Sequence, residues 1–242
     1  MDFTFLPEYA AKDYDVHLSS AQLAQFAQYA ALLDEWNKTR ANLTAITDPQ
    51  AVEVRHFLDS LSVLKAFTPS EGLRVIDVGT GAGFPGVPLQ IVAPQMQLTL
   101  LEATGKKIAF LQHLVQQLGL PNVHYTNARA EEAGQDAAHR EQYAVVVARA
   151  VAIMPVLVEY LLPLARIGGL CIAMKGQSAA EETQRAAKAL RLLGGRLVKQ
   201  IPIVLPNVDE THYLVVFEKV AETPLMYPRK PGVPSKKPLT ET

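Results

Sequence analysis

Asp77-Val-Gly79-Thr-Gly81-Ala-Gly83-Phe-Pro-Gly86 lies between a predicted strand at 73–78 and a predicted helix near 86–93. No other segment constrains the fold as strongly. Glycines at such a turn let the backbone adopt positive φ and come close to a ligand. The next predicted strand ends in Glu102, 23 residues after Gly79. A carboxylate at that point accepts hydrogen bonds from ribose hydroxyls. Together these features read as the first half of a doubly wound sheet, whose ligand site lies at the carboxyl ends of its strands.

The rest of the chain fits that frame. Residues 20–38 read as an amphipathic helix, capped by Ser19 or Ser20, with Leu23, Phe26, Ala30, Leu33 and Trp36 at spacings of three and four. After a turn-rich break, Thr47 or Asp48 caps a second helical stretch, with Pro49 in its first turn. About the first 70 residues are therefore expected to be helical. From residue 73 onward strands and helices alternate: strands at 73–78, 98–102, 123–125, 143–147 and 169–174, helices near 86–93, 105–119, 152–165 and 178–192. Gly119 is the expected C-cap of the 105–119 helix. Two late strands, 196–204 and 212–218, form a hairpin around Pro206-Asn207. The expected fold is α/β, a mostly parallel, Rossmann-like sheet of seven strands with one antiparallel strand and an N-terminal helical extension. The segments are 1–71 for the extension, 72–221 for the α/β domain and 222–242 for an irregular tail with five prolines.

Glycine spacing bears on the ligand. The dinucleotide fingerprint G-x-G-x-x-G fails from Gly79, where the third glycine would fall on Phe84. It is met by 81, 83 and 86, but that register puts Pro85 in the phosphate turn. The 79-81-83 register, G-x-G-x-G, resembles S-adenosylmethionine sites, which carry no pyrophosphate and need no helix N-terminus for one. Three further rim segments are candidates. Arg129, Ala130 and Glu131 follow the third strand, where an adenine would sit, or form only a solvated loop. Arg149 ends the fourth strand at the switch point, or makes a surface ion pair. Lys175 ends the fifth, or is a solvated strand terminus.

Composition bounds the alternatives. The 242 residues carry 23 basic and 24 acidic side chains, a net charge of -1. Any nucleic-acid affinity must then come from a local patch rather than the global field. Ten acids and five bases fall in residues 1–71, which leaves the rim and tail relatively basic. The single cysteine, Cys171, excludes an intrachain disulfide and a Cys-rich zinc site. No metal is expected. The start of the chain lacks a basic n-region and no apolar run reaches 18 residues, so a cytoplasmic protein is expected, without membrane attachment.

These residues bear a family resemblance. W-N-x-x-x-x-N-L-T at 36–44, R-H-x-x-D-S at 55–60, D-V-G-T-G-A-G-F-P-G at 77–86, L-L-E-x-x-x-K-K at 100–107, A-R-A at 148–150 and M-K-G at 174–176 resemble the RsmG family, also called GidB. Its members are bacterial S-adenosylmethionine-dependent methyltransferases acting on N7 of a guanosine in 16S ribosomal RNA. Glu102-Ala103 stands where the family often has Asp-Ser, and Ala148 where it often has Ser. The resemblance implies a cofactor set of Asp77, Gly79, Gly81, Gly83, Phe84, Glu102, Thr104, Ala130, Glu131 and Arg149. It implies catalytic or RNA-engaging roles for Asn42, His56, Arg129, Arg149 and Lys175. His56 is otherwise a satisfied structural histidine, and Asn42 a turn residue. The implied partner is 16S rRNA or the 30S subunit, and the expected state is a monomer.

Absent motifs narrow the target atom. The Asn/Asp-Pro-Pro-aromatic tetrapeptide that goes with methylation of exocyclic amines is replaced by Ala148-Arg149-Ala150-Val151. Carbon-5 chemistry needs a cysteine nucleophile, and Cys171 lies in a predicted buried strand. Guanine N7 has a free lone pair and needs no base, only alignment. A rival is 2′-O methylation with Lys175 as base. For RNA binding, Arg229, Lys230, Lys236 and Lys237 form a patch without acids from 227 to 238, with Tyr227 available to stack. Its alternative is a solubilising disordered end.

Overall fold

The computed structural model describes residues 2–240; Met1, Glu241 and Thr242, at the ends of the expected extension and tail, lie outside the described residues. Seven strands form one sheet in the order β3-β2-β1-β4-β5-β7-β6. They are β1 (Arg74–Val78), β2 (Gln97–Leu101), β3 (Val123–Thr126), β4 (Tyr143–Arg149), β5 (Ala165–Lys175), β6 (Gly195–Ile203) and β7 (His212–Lys219). Strands β1 to β5 pair in parallel, and β7 lies antiparallel between β5 and β6. The doubly wound sheet with one reversed strand is thus as expected. Because β7 is reversed, its first residues meet the carboxyl end of β5, with Lys175 opposite Tyr213.

Alternation along the strands sends side chains to two cores. Val145 and Val147 pack into the core shared with α5 (Gly86–Val92) and α6 (Gly105–Leu118). Val146 and Ala148 pack into the core under α8 (Met154–Leu161), α9 (Ala179–Arg185) and α10 (Ala187–Leu193). The helix expected at 178–192 is two helices, broken at Ala186.

The first core also holds the N-terminal extension. It comprises α1 (Leu6–Tyr14), α2 (Ser20–Thr39), and an irregular helix of α3 (Pro49–Val52), a wide turn over Glu53–Leu58, α4 (Asp59–Leu61) and a tight turn over Ser62–Lys65. Ser19 and Gln22 form the capping box of α2, and Asp48 caps α3 through the amide of Ala51. Helix α1 was not legible in the sequence pattern. Its amides at Phe5 and Leu6 donate to the buried carboxylate of Glu53, each at 2.6 Å. Phe26, Tyr29 and Phe57 are fully buried against the sheet's helices.

The last segment is largely irregular, as expected, but it is packed against the domain. Residues 222–240 dock on the second core, include α11 (Val233–Lys236), and bury Tyr227 and Pro234. Among the described residues no helix is long and apolar enough to cross a membrane.

Candidate active site

The glycine loop leaves β1 and crosses the carboxyl edge of the sheet. Its three glycines have positive φ but face different surroundings. A Cβ at Gly79 would lie 2.8 Å from Val151, and one at Gly83 would lie 2.6 Å from the Tyr29 hydroxyl. A Cβ at Gly81 would meet nothing nearer than the Gly79 carbonyl at 3.9 Å. Gly81 therefore borders open space, while Gly83 serves protein packing: Tyr29 of α2 donates to the carbonyl of Ala82 at 2.6 Å.

Glu102 lies beside Gly81. Its Oε2 accepts from the Gly81 amide at 3.1 Å and its Oε1 from the Thr104 amide at 2.9 Å. Each oxygen keeps a further lone pair, which suits a pair of hydroxyls. The Lys107 ammonium stands 3.8 Å away.

Asp77 and Phe84 are turned into the protein. Asp77 is wholly buried, and its Oδ2 accepts from the Thr80 hydroxyl at 2.6 Å and the Gly86 amide at 2.8 Å. It sets the shape of the loop from behind. Burial raises its pKa to about 6, against the lowering effect of those two hydrogen bonds. Phe84 is 4% exposed and stacks with both Tyr29 and His56, at centroid distances of 5.1 and 4.4 Å. Asp77 thus engages the loop's own Thr80 and Gly86, while α2 and the irregular helix pack on Gly83 and Phe84.

Arg149 ends β4 and lies over Phe84, 4.9 Å from the ring centroid. Its Nη1 donates to the Arg55 carbonyl at 2.9 Å and to Asp59 at 3.1 Å; its Nη2 approaches His56 Nδ1 at 3.3 Å. A guanidinium only donates, so Nδ1 accepts and Nε2 carries the hydrogen, directed at the Thr44 hydroxyl 2.9 Å away. Burial, followed by the charge of Arg149, lowers the His56 pKa to about 4 and keeps the ring neutral. Of the five guanidinium donors, Nε–H and one Nη2 hydrogen remain uncommitted.

Asp59 and His212 were not singled out from the sequence. Asp59 Oδ1 takes the His212 ring at 3.0 Å, and that hydrogen bond raises the His212 pKa. Asp59 sat inside the R-H-x-x-D-S motif; His212 had no local signal.

These groups line a cavity of about 480 Å³ with Met174, Lys175, Glu182 and Tyr213. Lys175 is not solvated. Its ammonium donates to the Ala152 carbonyl at 2.6 Å and to Glu182 at 2.7 Å. Desolvation raises the Glu182 pKa, but hydrogen bonds from Lys175, Ser178 and the Met154 amide outweigh it and leave the carboxyl low. Asn42 is exposed and lies outside that cavity. Its neighbour Asn37 shapes this loop, accepting from the amides of Leu43 and Thr44 and donating to the Thr44 carbonyl at 2.9 Å.

Beyond β3, Arg129 is exposed and Ala130 begins the short helix α7 (Ala130–Ala133). The Glu131 carboxylate is buried and accepts from the Gly232 amide of the tail at 2.9 Å. Arg229, expected as an RNA contact, forms a two-pronged ion pair with the fully buried Glu159, at 2.8 and 2.6 Å. Tyr227 is 9% exposed and its ring is not free to stack. Lys230, Lys236 and Lys237 remain exposed. Cys171 is wholly buried and its thiol is pushed up to about 12 by burial, as expected of a residue without nucleophilic use. Among the described residues no group of three or more His, Cys, Asp and Glu is placed to hold a metal.

Comparison with known proteins bears on this geometry. The family model described as GidB, rRNA small subunit methyltransferase G, matches residues 22–207. A ribosomal RNA small subunit methyltransferase G from Alkaliphilus metalliredigens (strain QYMF) is 50% identical over 223 residues, 92% of this chain and 93% of its own length. One of the same name from Roseiflexus castenholzii (strain DSM 13941 / HLO8) is 50% identical over 231 residues, 95% of this chain and 97% of its own. Among solved structures, YcgJ from Bacillus subtilis superposes with a TM-score of 0.52 at 12% identity, covering 69% of this chain and all of its own. A 16S rRNA (adenine(1408)-N(1))-methyltransferase from Catenulisporales acidiphilia gives 0.52 at 15% identity, covering 64% and 88%. At such identities these structures share the fold.

Proposed function

The chain belongs to the rRNA small subunit methyltransferase G (GidB) family, and from that premise we propose that it transfers a methyl group from S-adenosylmethionine to N7 of a guanosine in 16S rRNA. The observation that carries this reading is the juxtaposition, along one sheet edge, of the Gly81–Glu102 rim with the cavity around Arg149.

The residues of the rim fit the cofactor. Gly81 leaves open space beside it, and Glu102 keeps lone pairs for the two ribose hydroxyls. Reading of the base is assigned to the backbone at Ala130 and Glu131, which follow β3. When bound, S-adenosylmethionine supplies a methyl group on a positively charged sulfur.

The cavity next to it suits an acceptor that needs no base. His56 donates from Nε2, and its Nδ1 is taken by Arg149. Lys175 Nζ is paired with Glu182 at 2.7 Å and with the Ala152 carbonyl at 2.6 Å. Both groups are already committed to protein partners, which counts against 2′-O methylation through Lys175. Guanine N7 attacks with its own lone pair. The work left to the protein is orientation, which supplies about 7–11 kcal/mol in well-aligned reactions. The two uncommitted donors of Arg149 suit the guanine O6; donation to N7 would block the attack.

RNA is held by Arg129, Lys230, Lys236 and Lys237, with Lys106 and Lys107 on the same rim. The reading places the protein in the cytoplasm, as a monomer acting on 16S rRNA or the 30S subunit. Incubation with labelled S-adenosylmethionine and 30S particles lacking the modification tests it. Label recovered as 7-methylguanosine supports the reading; a 2′-O-methylated nucleoside or no transfer overturns it.

A further inference from the structure

Residues 222–240, expected as an irregular basic tail, are fastened to the segment between β3 and β4 at several points. The Gly232 amide donates to Glu131. Arg140 bridges the Gly134 and Tyr227 carbonyls, each at 2.8 Å, and reaches the Thr223 carbonyl at 2.6 Å. Gln135 donates to the Pro228 carbonyl at 2.8 Å. Pro228 packs so closely that a Cβ at Gly134 would lie 2.7 Å from it. Arg229 pins the middle of the tail to Glu159 of α8 through three hydrogen bonds.

From the other side the same segment is tied to the sheet edge. Asn127 donates to the carbonyl of Glu102 at 2.9 Å. Residues 127–131 are thus held between Glu102 and the tail. A four-residue helix such as α7 has too few internal hydrogen bonds to fix its own place. Its position is set by what grips it.

We infer that the C-terminal segment is a strap that positions the 127–131 loop for the cofactor's base, with Arg229 a positioning residue acting through Glu131 and Gln135. The inference rests on the cofactor reading above. The tail then has two separable parts: buried anchors that serve cofactor affinity, and exposed lysines that serve RNA. An anchoring role explains why an arginine in a basic stretch is spent on a buried carboxylate rather than left in solvent.

The full-length chain is compared with Arg229→Gln and with the pair Arg229→Gln and Glu159→Gln, which leaves no buried unpaired charge if the single variant folds poorly. Binding of S-adenosylmethionine is followed by calorimetry, turnover by KM and kcat for each substrate, and amide exchange over 130–135 by mass spectrometry. The strap predicts faster exchange over 130–135 and a rise of about tenfold in Kd and KM for S-adenosylmethionine. It also predicts kcat and the KM for RNA close to those of the original chain. Unchanged affinity for S-adenosylmethionine in a variant with accelerated exchange overturns the inference alone, as does exchange that stays slow. Failure of the unsubstituted chain to bind S-adenosylmethionine overturns the cofactor reading, and this inference with it.

Discussion

Nη1 of Arg149 lies 3.1 Å from Oδ2 of Asp59, joining the end of β4 to the N-terminal extension across 90 residues of sequence. Both side chains are largely buried. The other oxygen of Asp59 holds His212 at the start of β7. One carboxylate therefore aims the guanidinium and closes the wall of the cavity. The extension is part of the candidate active site rather than an attachment to it.

Asp59→Asn removes the charge that aims Arg149. The expected result is a fall in kcat of about a hundredfold, the order seen when a positioned group moves by an ångström. Affinity for S-adenosylmethionine should change little, since Asp59 does not reach the Gly81–Glu102 rim. Steady-state kinetics beside equilibrium cofactor binding checks both halves.

His56 links stability to pH. Its folded pKa of about 4 lies below the ordinary 6.5, so between those values the unfolded chain binds more protons than the folded one. The stability it contributes is fully present above pH 6.5 and is lost as pH falls through 4. Asp77, raised to about 6, works in the opposite sense over much of that window. The difference between the original chain and His56→Gln isolates the histidine. That difference should shrink by up to about 3 kcal/mol between pH 6.5 and 4 in urea unfolding. A pH-independent difference would refute the assignment.

Two glycine substitutions should fail in different ways. Gly83→Ala puts a Cβ 2.6 Å from the Tyr29 hydroxyl at a φ of 103°, so it should cost stability through both strain and overpacking, about 2–4 kcal/mol together. Gly81→Ala meets only the cost of its positive φ, about 1–2 kcal/mol. Its larger effect should be on S-adenosylmethionine affinity, because its Cβ would enter the open space by Glu102. Thermal unfolding and cofactor titration of the two variants separate the roles.

Lys175→Gln distinguishes an orienting ammonium from a base. With Glu182 holding the ammonium, the substitution should lower kcat/KM while the rate–pH profile keeps its shape. Disappearance of an acidic limb would instead make Lys175 the base and revive ribose methylation.

The tail lysines are tested by substitution rather than by deletion, since deleting 222–242 also removes the buried Arg229–Glu159 pair. Lys236→Ala with Lys237→Ala should weaken RNA binding and lower the slope of log K against log salt by about 1.4, at about 0.7 per phosphate contact on a single strand. Binding measured from low to moderate salt reads this directly. Arg229→Gln should leave that slope unchanged.

The order of elements, the parallel sheet with one reversed strand, the caps at Ser19, Asp48 and Gly119, and the loop from Asp77 to Gly86 were all legible in the sequence. So were Arg149 and Lys175 as rim residues and Cys171 as an inert one. Each depends on neighbours a few positions away, through strand alternation, helical spacing or the φ a turn demands. The partners of those residues were not legible. Phe84 was expected at the ligand and is covered by Tyr29 and His56. Arg229 was expected on RNA and is paired with Glu159. Glu131 turns to Gly232, and Asp59 and His212 form part of the cavity wall. A charge in a sequence shows only that a partner or solvent must be found for it. Which one is found depends on how elements far apart in the chain pack, because burial makes an unpaired charge too costly to leave. The sequence by itself determined the fold and the edge of the sheet where chemistry would sit; only the packing of the extension and the tail against that edge decided which side chains remain free to act there.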